Sequence, residues 1–213
     1  MGIKFLFFFL IFQKIFSLKE EYDYYTDSIP ISRGYLALTE TPILCPPESA
    51  LITFKLLYDP NDSSKVKFGY NCYLSSLINY KGEYITYTKW TESDLNMDFL
   101  NKHNIKCNNN DILRGFSMEF NKFNDVDNIR FRINCYSVEN SECLNDNLFA
   151  TGWKKNEKSG LESLIEHKIE SPCENCLISS FKIDMKYSLS ENNEWTSNFN
   201  FGWCLLRENL PDI

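Results

Sequence analysis

The residues of this 213-residue sequence that could carry chemistry are eight cysteines and two histidines. Thiolates and imidazoles are common zinc ligands, and a histidine beside a cysteine or serine forms the core of many nucleophilic sites. His103 lies in a polar stretch, and His167 lies on the polar side of a predicted helix. We expect both to be solvated surface residues. The sequence therefore predicts no catalytic residue, no metal and no cofactor, in a chain that is not an enzyme.

Cys173 and Cys176 have a CxxC spacing, which zinc sites and thiol oxidoreductases share. A structural zinc site needs a second close pair of ligands, and the redox motif is usual near a βαβ pattern. The sequence has neither. The number of cysteines is even and all of them follow the N-terminal segment, which favours a disulfide framework. Its members are Cys45, Cys72, Cys107, Cys135, Cys143, Cys173, Cys176 and Cys204.

The N-terminus has the pattern of a secretory signal peptide. Lys4 precedes an apolar run over residues 5–12, and Ser17 supplies a small residue near the cleavage point. A short membrane anchor is the alternative, but Gln13 and Lys14 interrupt the apolar run and a lysine is costly in lipid. We predict a secreted or extracellular protein, or one in the lumen of a secretory organelle, where disulfides form. The net charge of −7 argues against a nucleic-acid partner.

Two stretches of similar length begin and end with a cysteine. Cys45 and Cys72 are 27 positions apart, and Cys107 and Cys135 are 28 positions apart. A third stretch ends at Cys204 and begins at one of the two CxxC cysteines. The predicted disulfides are Cys45–Cys72, Cys107–Cys135, and a bond from Cys204 to Cys173 or Cys176, with the other of these two left for Cys143.

A phenylalanine stands at a matching place in each stretch, namely Phe54, Phe116 and Phe181. Apolar and polar residues alternate after it, as over residues 116–120, and this alternation is typical of a half-buried strand. A polar turn and a second alternating run follow. Each stretch is therefore predicted to be a β-hairpin with a long polar tip and a disulfide near its base. An isolated hairpin is marginal in water, but three can bury their apolar faces together.

These features predict a mainly β fold of three pseudo-repeated, disulfide-stapled hairpin units in a β-prism-like arrangement. Helical spacing in the connectors at 91–103 and 159–169 predicts one or two short helices. The predicted organisation is a signal peptide at 1–18, an acidic tyrosine-rich segment at 19–44 and one domain at 45–213, with units at about 45–72, 107–135 and 173–204.

The paired cysteines and their neighbours carry a resemblance to a known family. The matching positions are Cys45-Pro46 with Phe54, residues 68–72, residues 107–109 with Gly115-Phe116, and residues 131–135. Over about residues 45–204 the chain resembles dermatopontin and its relatives, which are small secreted matrix and adhesion proteins. The resemblance implies a non-enzymatic adhesion or extracellular-matrix-type binding protein that acts through hairpin-tip contacts. Its expected partner is an extracellular protein or glycan.

The threefold, cysteine-linked pattern also resembles the C-terminal β domain of perforin-like proteins of some parasites. That resemblance implies a peripheral membrane-binding module, with the membrane surface as the partner. A structural component of a secretory granule or coat is a further alternative. Exposed aromatic residues at the hairpin tips would favour the binding modules, and uniformly polar tips would favour the structural component.

Five surface residues are candidates for modification or contact. Tyr22, Tyr24 and Tyr25 stand among acidic residues, as sulfated tyrosines do, and Asn61 begins a glycosylation sequon in a predicted tip. Trp195, also in a predicted tip, is the candidate contact residue because an exposed indole stacks on sugars or enters a bilayer interface.

Overall fold

A computed structural model gives the arrangement of the chain. It describes residues 22–74, 80–93, 97–108, 110–139, 141–156, 160–165, 167–173, 175–188 and 194–206. The predicted signal peptide lies outside these residues. Within the described part of the chain, no helix has both the length and the apolar character needed to cross a bilayer.

Each third of the chain repeats one order of elements: an outer strand, a short strand, a helical segment, another short strand and a long hairpin. The first repeat comprises β1 (Tyr24–Tyr25), β2 (Ile29–Pro30), the 3₁₀ helix η1 (Ile31–Glu40), β3 (Ile43–Leu44), β4 (Ser49–Asp59) and β5 (Asp62–Leu74). The second comprises β6 (Tyr80–Tyr87), β7 (Thr91–Glu92), the 3₁₀ helix η2 (Met97–Lys102), β8 (Asn104–Lys106), β9 (Ile112–Phe123) and β10 (Val126–Val138). The third comprises β11 (Ser141–Ala150), β12 (Lys154–Asn156), helix α1 (Gly160–Ile165), β13 (Lys168–Glu170), β14 (Cys176–Ser188) and β15 (Glu194–Leu206).

The predicted fold class is confirmed, because the chain forms three five-stranded sheets, each built on one of the three expected hairpins. The arrangement is consistent with a β-prism. Helical segments occur in both connectors where they were predicted, as η2 and α1. The helix η1 was not predicted. From the sequence, residues 19–44 are predicted to form a separate N-terminal segment. In the structure, η1 together with β1, β2 and β3 places residues 22–44 in the first repeat.

The repeats exchange short strands in a closed cycle. The strand β3 of the first repeat pairs with β9 of the second, β8 of the second pairs with β14 of the third, and β13 of the third pairs with β4 of the first. An isoleucine in each short strand faces the phenylalanine of the receiving strand: Ile43 faces Phe116, Ile105 faces Phe181 and Ile169 faces Phe54. Because each repeat completes the sheet of another repeat, the three hairpins form one core.

The three phenylalanines meet at the centre of that core. The ring centroid of Phe54 lies 5.2 Å from that of Phe116 and 5.1 Å from that of Phe181, and the last two are 4.7 Å apart. All three side chains are buried. Gly115 permits the close approach of β3, since a Cβ atom there would lie 2.2 Å from the carbonyl oxygen of Ile43. Buried aromatic rings at these separations gain contact energy beyond the area that they bury.

Two of the predicted disulfides are confirmed, Cys45–Cys72 and Cys107–Cys135. The prediction for the third unit is wrong. Cys204 is bonded to Cys143 rather than to a CxxC cysteine, and Cys173 is bonded to Cys176.

The strand register explains this correction. In the first two hairpins the opening cysteine lies nine positions before the central phenylalanine, and the closing cysteine lies two positions beyond that phenylalanine's cross-strand partner. The central Phe181 pairs with Phe201, so the equivalent places in the third hairpin are Pro172 and Trp203. Cys204 is one position further along the strand. Its side chain therefore alternates to the other face, where Cys143 lies directly opposite it.

The two hairpin tips that the structure describes are shorter than predicted. Pro60 and Asn61 join β4 to β5, and Asn124 and Asp125 join β9 to β10. A long polar tip was predicted for each hairpin, but Asn124 and Asp125 have φ values of 50° and 61°, as in a two-residue type I′ turn. That turn lets strand pairing continue to Val126. The third tip, at 189–193, lies outside the described residues.

Candidate contact surface

Both histidines lie inside the protein, each with 1% of its surface exposed, so the prediction of solvated histidines is wrong. His103 and His167 each stand two positions before the isoleucine of an exchanged short strand. The chain must turn inwards at this point to insert the strand between two repeats. The polar neighbours of the histidines in the sequence do not reveal that turn. Thr41 occupies the equivalent position in the first repeat and is also buried.

In each repeat, a threonine that precedes the helical segment forms two hydrogen bonds with the backbone of the closing strand. Its N–H donates to the carbonyl oxygen of a buried phenylalanine, and its hydroxyl accepts from the N–H of the same phenylalanine. Such reciprocal bonds hold the loop before the helical segment against the closing strand. The pairs are Thr26 with Phe68, Thr88 with Phe131, and Thr151 with Phe199.

His167 lies within a continuous chain of hydrogen bonds. The Thr151 hydroxyl, which already accepts from a backbone N–H, donates to Nδ1 at 2.6 Å, and Nε2–H donates to Ser197 Oγ at 2.9 Å. Ser197 in turn donates to the carbonyl oxygen of Ser163 at 3.0 Å. This donor order assigns the neutral Nε2–H tautomer. His103 Nδ1 forms a hydrogen bond with the Thr88 hydroxyl at 2.8 Å.

Burial lowers the pKa of both His103 and His167 to about 4, because the charged imidazolium loses its hydration. Lys102 lowers the pKa of His103 further, and Lys154 acts in the same sense on His167. The two rings are therefore neutral at pH 7.

The Ser197–His167 contact has the spacing of a nucleophile–base pair, but its surroundings oppose catalysis. Ser197 has no exposed surface, and its hydroxyl already donates a hydrogen bond to the carbonyl oxygen of Ser163. A threonine hydroxyl stands where a carboxylate usually orients the histidine. The adjoining cavity, of about 20 Å³, is lined mostly by apolar residues and holds no more than a water molecule. The pair is therefore a structural bond within the core.

Two exposed aromatic residues, Tyr87 and Trp90, lie on the outer face of the second sheet. The guanidinium of Arg130 is 4.0 Å from the ring centroid of Tyr87 and 4.5 Å from that of Trp90. Its Nε lies 2.7 Å from Oε2 of Glu119 on the neighbouring strand. Both rings remain exposed. The arrangement presents two fixed aromatic surfaces beside a charged group.

The same outer face continues to the tip of the second hairpin. Val126 pairs with Phe123, and both lie on the face that carries Arg130, because side chains alternate along β10. Phe123 is 67% exposed and Val126 is 39% exposed. We call Tyr87, Trp90, Arg130, Phe123 and Val126 together the tip-and-face surface.

A cation over an exposed aromatic ring recurs in the other two repeats. Lys67 Nζ lies 4.7 Å from the ring centroid of Tyr25 in the first repeat, and Lys186 Nζ lies 4.1 Å from that of Trp153 in the third. Trp153 follows the bridging Thr151 by two positions, as Trp90 follows Thr88. Of the two hairpin tips that the structure describes, the one with two exposed apolar side chains on this outer face is in the second repeat.

The other predicted residues fall in several places. Tyr22 is buried against Gly69, where a Cβ would lie 2.6 Å from its ring, so Tyr22 does not fit the prediction of sulfation in the folded protein. Tyr24 and Tyr25 are exposed on β1, and their sulfation stays a prediction. Asn61 is exposed in the first tip, as a glycosylation site requires. Trp195 lies near the start of β15, its backbone opposite Tyr187, and its side chain lies outside the described part.

Comparisons with protein-family models, with curated proteins and with solved structures each find no match to this chain. A proposal about the function of this chain therefore depends on the geometry of the tip-and-face surface. Sequence reasoning missed Trp90 and Phe123. Phe123 breaks the alternation of Phe116, Met118 and Phe120, which is a signal that it faces outwards.

Proposed function

We propose that this protein is a secreted, non-enzymatic binding module of the adhesion or extracellular-matrix type, which contacts an extracellular protein or glycan through the tip-and-face surface. The observation that carries the proposal is the exposed pair Phe123 and Val126 at the end of a fully paired hairpin. Exposed apolar groups next to aromatic and charged side chains are typical of contact surfaces.

A rigid frame supports this role. The two-residue turn, the frame disulfides Cys45–Cys72 and Cys107–Cys135, and the common core fix the tip before a partner arrives. Preorganisation of this kind reduces the entropy lost on binding. All eight cysteines are in disulfides, which is compatible with an extracellular or secretory location.

Two substitutions test the surface. Phe123→Ser and Trp90→Ala are expected to weaken binding at least about tenfold, because exposed aromatic anchors dominate interfaces of this kind. The measurement is binding of labelled protein to cultured cells, before and after enzymatic glycan removal, and to an immobilised panel of neutral and sialylated oligosaccharides.

Leu74→Ser is the matched control, because Leu74 is 70% exposed at the opposite end of its hairpin. This variant should bind as the wild type does. If Phe123→Ser and Trp90→Ala also bind normally while circular dichroism shows the native fold, the surface is not the contact site.

Membrane binding is a second candidate, favoured by the partly exposed Phe120, which lies on the opposite face of the same hairpin end, so that exposed phenylalanines stand on both faces. We expect flotation with phosphatidylcholine vesicles that persists at high salt and is lost in Phe123→Ser, because apolar insertion does not depend on charge attraction. If the wild-type protein does not float, this candidate is rejected and the adhesion proposal stands alone.

A further inference from the structure

The disulfide Cys173–Cys176 differs from the other three in what it connects. Cys45–Cys72, Cys107–Cys135 and Cys143–Cys204 join distant parts of the chain, with separations of 27, 28 and 61 positions. Cys173 and Cys176 are three positions apart; Cys173 lies in the turn before β14, and Cys176 is the first residue of that strand. In this repeat Pro172 and Trp203 occupy the positions that correspond to the disulfide-bonded cysteines of the first two hairpins. The disulfide Cys173–Cys176 therefore does not link two different strands.

The turn that contains this disulfide is also held by hydrogen bonds. Ser171 N–H donates to the carbonyl oxygen of Ile52 at 2.8 Å, and its hydroxyl donates to the carbonyl oxygens of Cys173 and Cys176. Asn175 accepts through its carbonyl oxygen from the N–H of Leu206 at 3.0 Å. The Tyr73 hydroxyl donates to the side chain of Asn175 at 3.2 Å. None of these bonds involves a sulfur atom of the disulfide.

The two sulfurs differ in access. Cys173 is exposed and lines an open groove of about 560 Å³, whereas Cys176 is fully buried. The groove walls include the apolar Tyr73 and Pro172 and the polar Thr53 and Asn71. Glu170 also lines the groove, and its carboxylate lies 3.1 Å from Lys168 Nζ. An incoming thiol can therefore reach Cys173 but not Cys176. The mixed lining suits a thiol that has one apolar and one polar neighbour.

We propose that Cys173–Cys176 is a thiol-exchange site that captures a cysteine thiol of a partner peptide. The thiolate attacks Sγ of Cys173, the bond between the two sulfurs breaks, and Cys176 leaves as a thiolate that then takes up a proton. The products are a mixed disulfide on Cys173 and a free thiol on Cys176. Attack by Cys176 on the mixed disulfide reverses the step, so no further oxidant or reductant is consumed.

Graded reduction of the full oxidised chain tests the site. The protein is incubated with increasing dithiothreitol, quenched with N-ethylmaleimide and mapped by peptide mass analysis. We expect label on Cys173 and Cys176 at a reductant concentration at least about tenfold below that needed for the other cysteines, because exposed disulfides are the labile ones. The circular dichroism spectrum should not change. If another disulfide opens first or all open together, the proposal is wrong.

A second arm identifies the thiol. The probes are glutathione and a short peptide whose cysteine is flanked by leucine and lysine. An adduct on Cys173 that forms faster with the peptide supports a protein partner, and equal rates support the same site with a small thiol. Absence of any adduct on Cys173 overturns the proposal. The double variant Cys173→Ser, Cys176→Ser is the control, and it should fold like the wild type and form no adduct.

Discussion

Acidification from pH 7 to about pH 4 is expected to lower the free energy of unfolding by about 3 kcal/mol for each buried histidine, or about 6 kcal/mol for the two. Burial lowers the pKa of His103 and His167 from 6.5 to about 4 in the folded protein. Below pH 6.5 the unfolded chain therefore binds protons that the folded chain does not bind. The contribution of the two neutral histidines to the free energy of unfolding is present above pH 6.5 and is lost as the pH falls through about 4.

Urea denaturation at several pH values between 7 and 4 measures this effect, and histidine-to-threonine variants isolate it. Threonine is the natural choice, since Thr41 holds the equivalent position in the first repeat. His103→Thr and His167→Thr should each reduce the pH dependence by about half, whatever their stability at pH 7. Hydrogen bonds from Ser28 and Ser64 hold the pKa values of Asp59 and Asp62 below 3.8, so these groups titrate at lower pH. An unchanged pH dependence in the double variant would contradict the prediction.

Replacing a phenylalanine of the central triad is expected to have the second large effect. Phe116→Ala should lower the free energy of unfolding by about 3–5 kcal/mol, because it removes a buried ring that packs against two others and leaves a cavity. Urea denaturation at pH 7 measures the loss. Phe120→Ala is the matched control, since Phe120 lies on the same strand and face but is 41% exposed.

The control should cost about 1–2 kcal/mol, because the Phe120 side chain buries less apolar surface than Phe116 does. Similar losses in Phe116→Ala and Phe120→Ala would show that the triad does not concentrate stability at the centre. Phe54→Ala and Phe181→Ala should resemble Phe116→Ala, since the three rings lie at similar mutual distances.

The hairpins could be predicted from sequence because long strands leave a periodic signal. Around Phe116 the alternation extends over enough residues to fix both the strand and its buried face. The exchanged strands are only two or three residues long, so they contain no period, and the pairing of Ile43 with Phe116 cannot be inferred locally. The buried position of the histidines follows from that exchange, and therefore could not be predicted either.

Cysteine spacing was informative only where the hairpin register matched. In the first two units the opening cysteine lies nine positions before the central phenylalanine and the closing cysteine lies two positions beyond that phenylalanine's cross-strand partner, and both disulfides were predicted. In the third unit Cys204 is displaced by one position, which turns its side chain to the other face and towards Cys143. A shift of one residue is too small to be noticed in an approximate cysteine spacing. In a strand, however, it moves the side chain to the opposite face of the sheet.

For the candidate surface, the sequence predicted the kind of place but not the residues. Hairpin tips and tryptophan were expected to carry contacts, and Trp195 was the chosen residue. The tip-and-face surface instead depends on the register of β10, which places Arg130 and Val126 on one side, and on the chain reversal that brings Trp90 over that side. Neither the register nor the reversal has a local signature.

The cyclic exchange of short strands also determines the smallest unit that can exist on its own. A peptide with a single repeat would offer a short strand with no neighbour to receive it and a hairpin with one edge uncovered. Three identical copies in a ring would satisfy every such edge, as the three repeats do within this chain. The covalent links between repeats thus convert what would be a concentration-dependent trimer into a ring of repeats that closes within one chain.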